Sequence, residues 1–261
     1  MWHSVNRMRW FAVLLPALIG GAGCASRSAA PAAATPAEAV DALLKAVKPS
    51  EPKDDVPATA DLVALFEAIA PHLADTSRET VDGFLAVVPE VRAHDQLAKK
   101  TFGAALEKAE DYVPAEEALS MMTMGTVLSQ IPPGAKAEVL KQPEKSPTEA
   151  AFRLRWSKAD SGETQTFEET VVAVQEGAGW KVLVPLSATV EFGSHTTPDK
   201  REDYVRRGQQ EWDAAAVRSD NQAALKELQG FRAKVARLTQ DLKAGKCRRV
   251  EDYLKAVDSN P

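Results

Sequence analysis

The chain has little of what most enzymatic chemistry needs. Its 261 residues include only two cysteines and four histidines, and aromatic residues make up 6%. Two cysteines exclude a framework of several disulfides. The histidines, His3, His72, His94 and His195, show no spacing to a second histidine or cysteine that suits a metal, and no metal or cofactor is called for. No glycine-rich phosphate loop and no G-x-S-x-G nucleophile turn occurs. Positive charge is also short, with 32 basic against 37 acidic residues. That balance argues against nucleic acid as a partner, because phosphate neutralisation drives such binding.

What is present starts at the amino terminus. Arg7 and Arg9 precede an apolar run from Trp10 to Ile19, and Gly20, Gly21, Ala22 and Gly23 lead into Cys24. The run falls short of the ~20 residues a membrane-spanning helix requires. Basic, apolar and then small residues are the order of an export signal. The segment resembles a bacterial lipoprotein signal, with Gly21 standing where that family usually has leucine. The resemblance implies that residues 1–23 are removed and that Cys24 is acylated, becoming the first residue of a chain held at the cell envelope. Each buried CH₂ of such an anchor contributes about 0.8 kcal/mol. Ala25 rather than aspartate follows, which implies the periplasmic face of the outer membrane in a Gram-negative cell. Ordinary cleavage nearby, for example after Ala25, is the alternative and leaves no lipid. Without residues 1–23 the charge is 30 − 37 = −7. An acylated Cys24 leaves Cys247 alone in an oxidising compartment. Lys246, Arg248 and Arg249 favour its thiolate if it is exposed; the alternative is a buried, unpaired side chain near a helix turn.

The rest reads as an α+β protein. Residues 24–35 are expected as a flexible Ala/Pro tether, residues 36–130 as a helical part, residues 134–192 as an antiparallel sheet packed on it, and residues 197–258 as a helical tail. Thr35, Pro36 and Glu38 open a helix as a capping box, and Val40, Leu43, Leu44 and Val47 share one face of it. A second helix covers residues 59–70. A third runs from Ser77, capped by Thr76 and Glu79, to a stop at Pro89, and a fourth follows over residues 90–110. A fifth spans Pro114 to Gln130 and carries Met121 and Met124, which suit a core better than a ligand site.

From residue 137 the period shortens to two. A strand near Ala137–Lys141, a second through Phe152, Leu154 and Trp156, a third over residues 164–175 and a fourth from Trp180 to Leu186 make a meander of about four strands. Trp156 and Trp180 are expected on one face, against the helices. Arg153 and Arg155 share the other, about 6–7 Å apart. There they either meet an anion in a pocket or pair with Glu168 or Glu169 on the next strand.

In the tail, Ala224, Leu228, Phe231, Val235, Leu238 and Leu242 alternate steps of three and four residues. With Ser219 and Gln222 as a cap, a hairpin of Pro198–Val217 and Asp220–Ala244 is expected, ended by Gly245 and followed by a short helix. The seam docks on its own protein or, alternatively, on a partner. Residues 198–261 carry 14 basic and 11 acidic side chains, net +3, against 16 − 26 = −10 for residues 24–197.

Helices followed by a meander that closes on Gly179, Trp180, Lys181, Val182, Leu183 and Val184 resemble the nuclear transport factor two-like superfamily over residues 59–192. The resemblance implies a cone with a pocket between helix and sheet, where Trp156 and Trp180 would sit. Enzymes of that superfamily use pocket aspartates and histidines, and no set here matches them residue by residue. His94 and Asp95, one turn after Glu90, are the nearest polar cluster, with His72 and Asp75 next. The expectation is a lipid-anchored, non-enzymatic binding or scaffolding module. The alternatives are a small-molecule-binding or enzymatic pocket, and oligomerisation or partner clamping through Leu228, Phe231, Val235, Leu238 and Leu242. Leu228, Phe231, Val235 and Leu238 discriminate: exposed, they mark a partner seam.

Overall fold

Residues 32–47, 58–110, 112–122, 136–141, 146–160, 163–186 and 213–258 are described by a computed structural model of the chain. Cys24, His195, Met124 and the tail's expected first arm up to residue 212 lie outside them. The class is α+β. The helices are α1 (Pro36–Ala46), α2 (Thr59–Ile69), α3 (Asp75–Phe102), α4 (Ala104–Glu107), α5 (Ala115–Met122), α6 (Ala214–Lys243) and α7 (Val250–Asp258). Strands β1 (Lys136–Lys141), β2 (Glu149–Asp160), β3 (Glu163–Glu176) and β4 (Gly179–Leu183) lie side by side in that order, each antiparallel to the next.

Local chemistry sets the starts of these elements. In α1 the Glu38 N–H donates to Thr35 Oγ1 (3.2 Å) and the Glu38 carboxylate accepts from the backbone of Thr35 and Ala34. The expected Thr76–Glu79 box does not form. Helix α3 begins at Asp75, whose N–H donates to Glu176 Oε1 of β3 (3.0 Å), so the sheet supplies the cap. Between β3 and β4 the chain reverses through Gly177 and Ala178, where Gly177 takes φ 59°. Two short segments cover the outer edge of β4. Trp180 N–H donates to Ala33 (3.0 Å), and Ala74 N–H donates to Val182 (2.9 Å).

Helix α3 differs from the sequence expectation, which split it at Pro89. It runs unbroken for 28 residues, about 42 Å, with Pro89 inside. Pro89 is exposed, so its missing N–H lies on the water-facing side, and Val87, Val88 and Val91 are buried around it. Their burial, about 1.5–3 kcal/mol for each side chain, offsets the ~3 kcal/mol cost of an interior proline.

The tail also differs. Asp213 caps α6 by accepting from Ala216 N–H (2.7 Å), and Ala214 N–H donates to Glu149 of β2 (2.9 Å). Helix α6 therefore passes through Ser219 and Gln222 without the expected hairpin turn. Its partner is α3, and the two run parallel: Asn221 meets Thr80, Leu225 and Leu228 approach Gly83, Arg232 pairs with Glu90, and Thr239 meets His94. The main core lies between the sheet and α1, α2, α3 and α5, joined by Leu228, Phe231 and Val235 of α6. Within it the Phe66 and Phe84 rings meet edge to face, 5.0 Å apart. Ala214 and Val217 cover Val172, Val174 and Leu183 on the opposite side of the sheet.

Candidate functional site

The buried row of α6 runs from Ala214 through Val217, Asn221, Ala224, Leu228, Phe231, Val235 and Leu238 to Leu242 in steps of three and four residues. Helix α3 answers with Ser77, Phe84, Val91 and Ala98, each seven residues after the last, flanked by Thr80, Val87 and His94. Leu228, Phe231, Val235, Leu238 and Leu242 are all buried within their own chain. The open partner seam considered from sequence is therefore corrected: α3 and the core cover it.

Two polar clusters interrupt this apolar contact. Near its start, the fully buried Asn221 donates from Nδ2 to Ser77 Oγ (2.8 Å) and to the Val184 carbonyl (3.0 Å). Its Oδ1 accepts from Leu186 N–H (2.9 Å). Ser77 Oγ accepts from Val184 N–H and donates to Val184 O, both at 3.0 Å. The buried side chains of Asn221 and Ser77 thus both have partners inside the protein, and the cluster fastens the end of β4 to both helices.

Near the far end, His94 joins α3 to α6 and α7. Thr239 donates its hydroxyl to Val235 O (2.8 Å), so its oxygen accepts from His94 Nδ1 (2.9 Å). That places the ring proton on Nδ1 and leaves Nε2 to accept from Tyr253 Oη (2.9 Å). Burial holds the imidazole below its ordinary pKa, against the pull of Asp95. Burial also raises Tyr253, and it pushes Tyr112 up to about 12 with help from Asp95. The Tyr112 hydroxyl is buried without a hydrogen-bond partner, its ring 6.4 Å from that of Tyr253.

His94 and Asp95, adjacent in sequence, serve different neighbours. Asp95 accepts from Ala115 N–H and Glu116 N–H, both at 2.9 Å, and so caps α5. Glu90 is turned to Arg232, and the Arg232 Nε bond to Glu90 is 2.8 Å. The three do not form one reactive set. His72 is separate from Asp75, which faces Arg218 at 3.5 Å; burial and Lys181 lower the His72 pKa. Cys247 is buried, and its thiol pKa is raised by burial and by Asp241 and Asp252, outweighing Lys246. The reactive thiolate considered from sequence is corrected to a protonated packing residue, because Lys246 and Arg249 face Asp241 and Asp252 instead.

The sheet does not bring the expected pocket residues together. Trp156 stands opposite Phe167 and Trp180 opposite Gln175. Those positions are eight residues apart along β3, roughly 26 Å of strand. Trp180 is half-buried against the core beside Ala33. Phe152, Leu154, Val171, Ala173 and Val182 are buried in the core between sheet and helices. Arg155 stands opposite Glu168 and Glu138, and Arg153 opposite Thr170, whereas Glu169 stands opposite Leu154. Both arginines are half-buried.

A groove of about 710 Å³ does exist, at the end of the molecule where α3 passes into α4 and α7 begins. Phe102, Ala109, Val250 and Leu254 line it with apolar surface. Lys108, Arg248, Arg249, Glu110 and Glu251 supply charge. Phe102 rests on Tyr253, ring centres 5.5 Å apart, so the His94 cluster lies directly beneath. The sequence reading missed this site because its residues come from two stretches, 101–110 and 248–254, far apart in the chain. Asn221, a polar residue in the seam's own spacing, was the one legible sign of the other cluster. Among the described residues, no three histidine, cysteine or acidic side chains gather as a metal would require. No protein-family model, curated protein or solved structure matches the chain.

Proposed function

We propose that this chain is an exported protein, acylated at Cys24, that acts as a non-enzymatic binding or scaffolding module at the cell envelope. The observation that carries the reading is the parallel α3–α6 pair and where it begins and ends. The first described residues, Ala32 and Ala33, lie against Gly179 and Trp180. An alanine Cβ at Gly179 would lie 2.4 Å from that of Ala32, so this segment is held close. Helix α3 starts beside β4 as well, where Ala74 N–H donates to Val182, and runs for about 42 Å. A body hung from an anchor ahead of Ala32 presents its α4–α7 end outward. Support also comes from His94, Asp95 and Cys247, each engaged in holding helices together.

The test is fractionation with metabolic palmitate labelling of the wild-type chain and of Cys24→Ala. The expected result is a labelled membrane protein whose variant loses both label and membrane association. A chain found in the cytoplasm with Met1 intact would overturn the proposal.

A further inference from the structure

We propose that α7 is a latch released by a proton: once His94 is protonated at Nε2, α7 leaves α3 and α6 and uncovers the apolar surface beneath it. This goes beyond the envelope reading and does not rest on it. Helix α7 packs in a cluster of its own, where Val250 and Tyr253 are buried with Ala98, Leu106, Leu242 and Cys247. That cluster is separate from the main core. A segment packed outside the main core opens at less expense than the whole fold. The link from α6 is short, and Gly245 within it has φ 66°. Across the contact, Tyr253 Oη lies 2.9 Å from His94 Nε2, and the Arg237 bond to Ala256 O is long at 3.5 Å.

His94 is 1% exposed, and both its ring nitrogens are committed. Nδ1 already gives its hydrogen to Thr239, so a proton taken from solvent must go to Nε2. Nε2 then becomes a donor aimed at the phenol that donates to it. Tyr253 must turn its hydrogen away, and the acceptors nearby are engaged. Thr239 is bonded to Val235 O, the Asp95 oxygens accept from Ala115 and Glu116 N–H, and the Tyr112 hydroxyl is out of bonding range. Docked α7 would thus hold a buried cation against an unmatched hydrogen, and release admits water to both. The other ionisable groups around the ring do not replace it as the trigger. From α3, Asp95 attracts the proton but does not outweigh burial. From α6 come Lys234, Arg237 and Asp241, the last tied to Lys246. From α7, Asp252 is held low by Arg249, while burial raises Tyr112, Tyr253 and Cys247. Docking is therefore at full strength above about pH 6.5 and weakens as pH falls from there towards the lowered value of docked His94.

The experiment uses Cys247 as a probe, since a chain carrying Cys24→Ala has no other thiol. Its reaction with dithiodipyridine is timed between about pH 7.5 and 5.5 and divided by the rate of the urea-unfolded chain at the same pH. This ratio is expected to rise roughly fivefold to tenfold as pH falls. It should stay flat in His94→Gln, whose amide takes up no proton and which keeps His72. Hydrogen exchange of the wild-type chain gives a reading that needs no variant. Protection of residues 248–258 is expected to fall by a similar factor while that of residues 77–88 holds. A flat ratio in the Cys24→Ala chain, an equal rise with His94→Gln, or equal loss of protection in the two segments would overturn the proposal. Because each reading is taken in solution, its failure is distinguishable from failure of the fractionation test.

Discussion

At its start the α3–α6 pair is joined through Ser77, Thr80 and Asn221, and at its end through His94, Thr239 and, from α7, Tyr253. Both clusters interrupt an apolar seam with hydrogen bonds that only one alignment of the two helices satisfies. Asparagine in such a seam selects register at some expense of stability. The clusters differ in what they can do next. The first contains no titratable group, and its bonds include the backbone of Val184 and Leu186. The second depends on a neutral imidazole, neighbours an unpaired Tyr112 hydroxyl, and holds one wall of the groove. One end of the seam is built without a titratable side chain; the other turns on His94.

The sharpest way to break that contrast is at Asn221. Asn221→Ala leaves the Leu186 N–H and a Val184 lone pair buried without partners. It is expected to cost about 3 kcal/mol, or roughly 6–12 °C in melting temperature. Tyr253→Phe at the other end removes one bond, and about 1 kcal/mol is expected. Thermal unfolding followed by circular dichroism compares the two; equal losses would mean that the clasp is no firmer than the far end.

The second measurement is the pH dependence. Because burial holds His94 below its ordinary pKa, the unfolded chain takes up its proton first as pH falls. Stability is therefore full above about pH 6.5 and is lost as pH drops from there towards the lowered folded value. His72 shifts in the same direction, so His94→Asn should flatten the slope of melting temperature between about pH 7.5 and 5 without abolishing it. A slope identical to wild type would remove His94 from the account. The smallest expected effect is a gain. Gly230 lies within α6 with nothing near the position of an added Cβ, and Gly230→Ala should stabilise by about 1 kcal/mol. At Gly83 an alanine would meet Leu225 at 3.0 Å and Leu228 at 3.2 Å, so less gain is expected there. Equal gains at the two sites would mean that the helices are not in close contact at Gly83.

Much of the local structure was legible because its causes are local. The capping box at Thr35 and Glu38, the two-residue alternation through Phe152 and Leu154, and the three–four spacing from Ala224 to Leu242 all appear where the sequence places them. Reading failed where a distant segment supplied the missing term. The stop at Pro89 is overridden by buried valines on either side, the cap of α3 comes from Glu176, and the expected turn at Ser219 and Gln222 does not form where α6 packs along α3. His94 and Asp95 show the same limit at side-chain scale: adjacency along a helix turns them to different neighbours.

Taken alone, the residue order determined the helical and extended segments, the apolar face of each, and the export-like pattern ending at Cys24, since periodicity and caps act within a few residues. Only the tertiary structure decided which faces meet: α6 on α3 in parallel, the two tryptophan positions far apart, and Lys108 across a groove from Arg248. Burial and hydrogen-bond satisfaction are settled between segments far apart in the chain, and no spacing along the sequence records that choice.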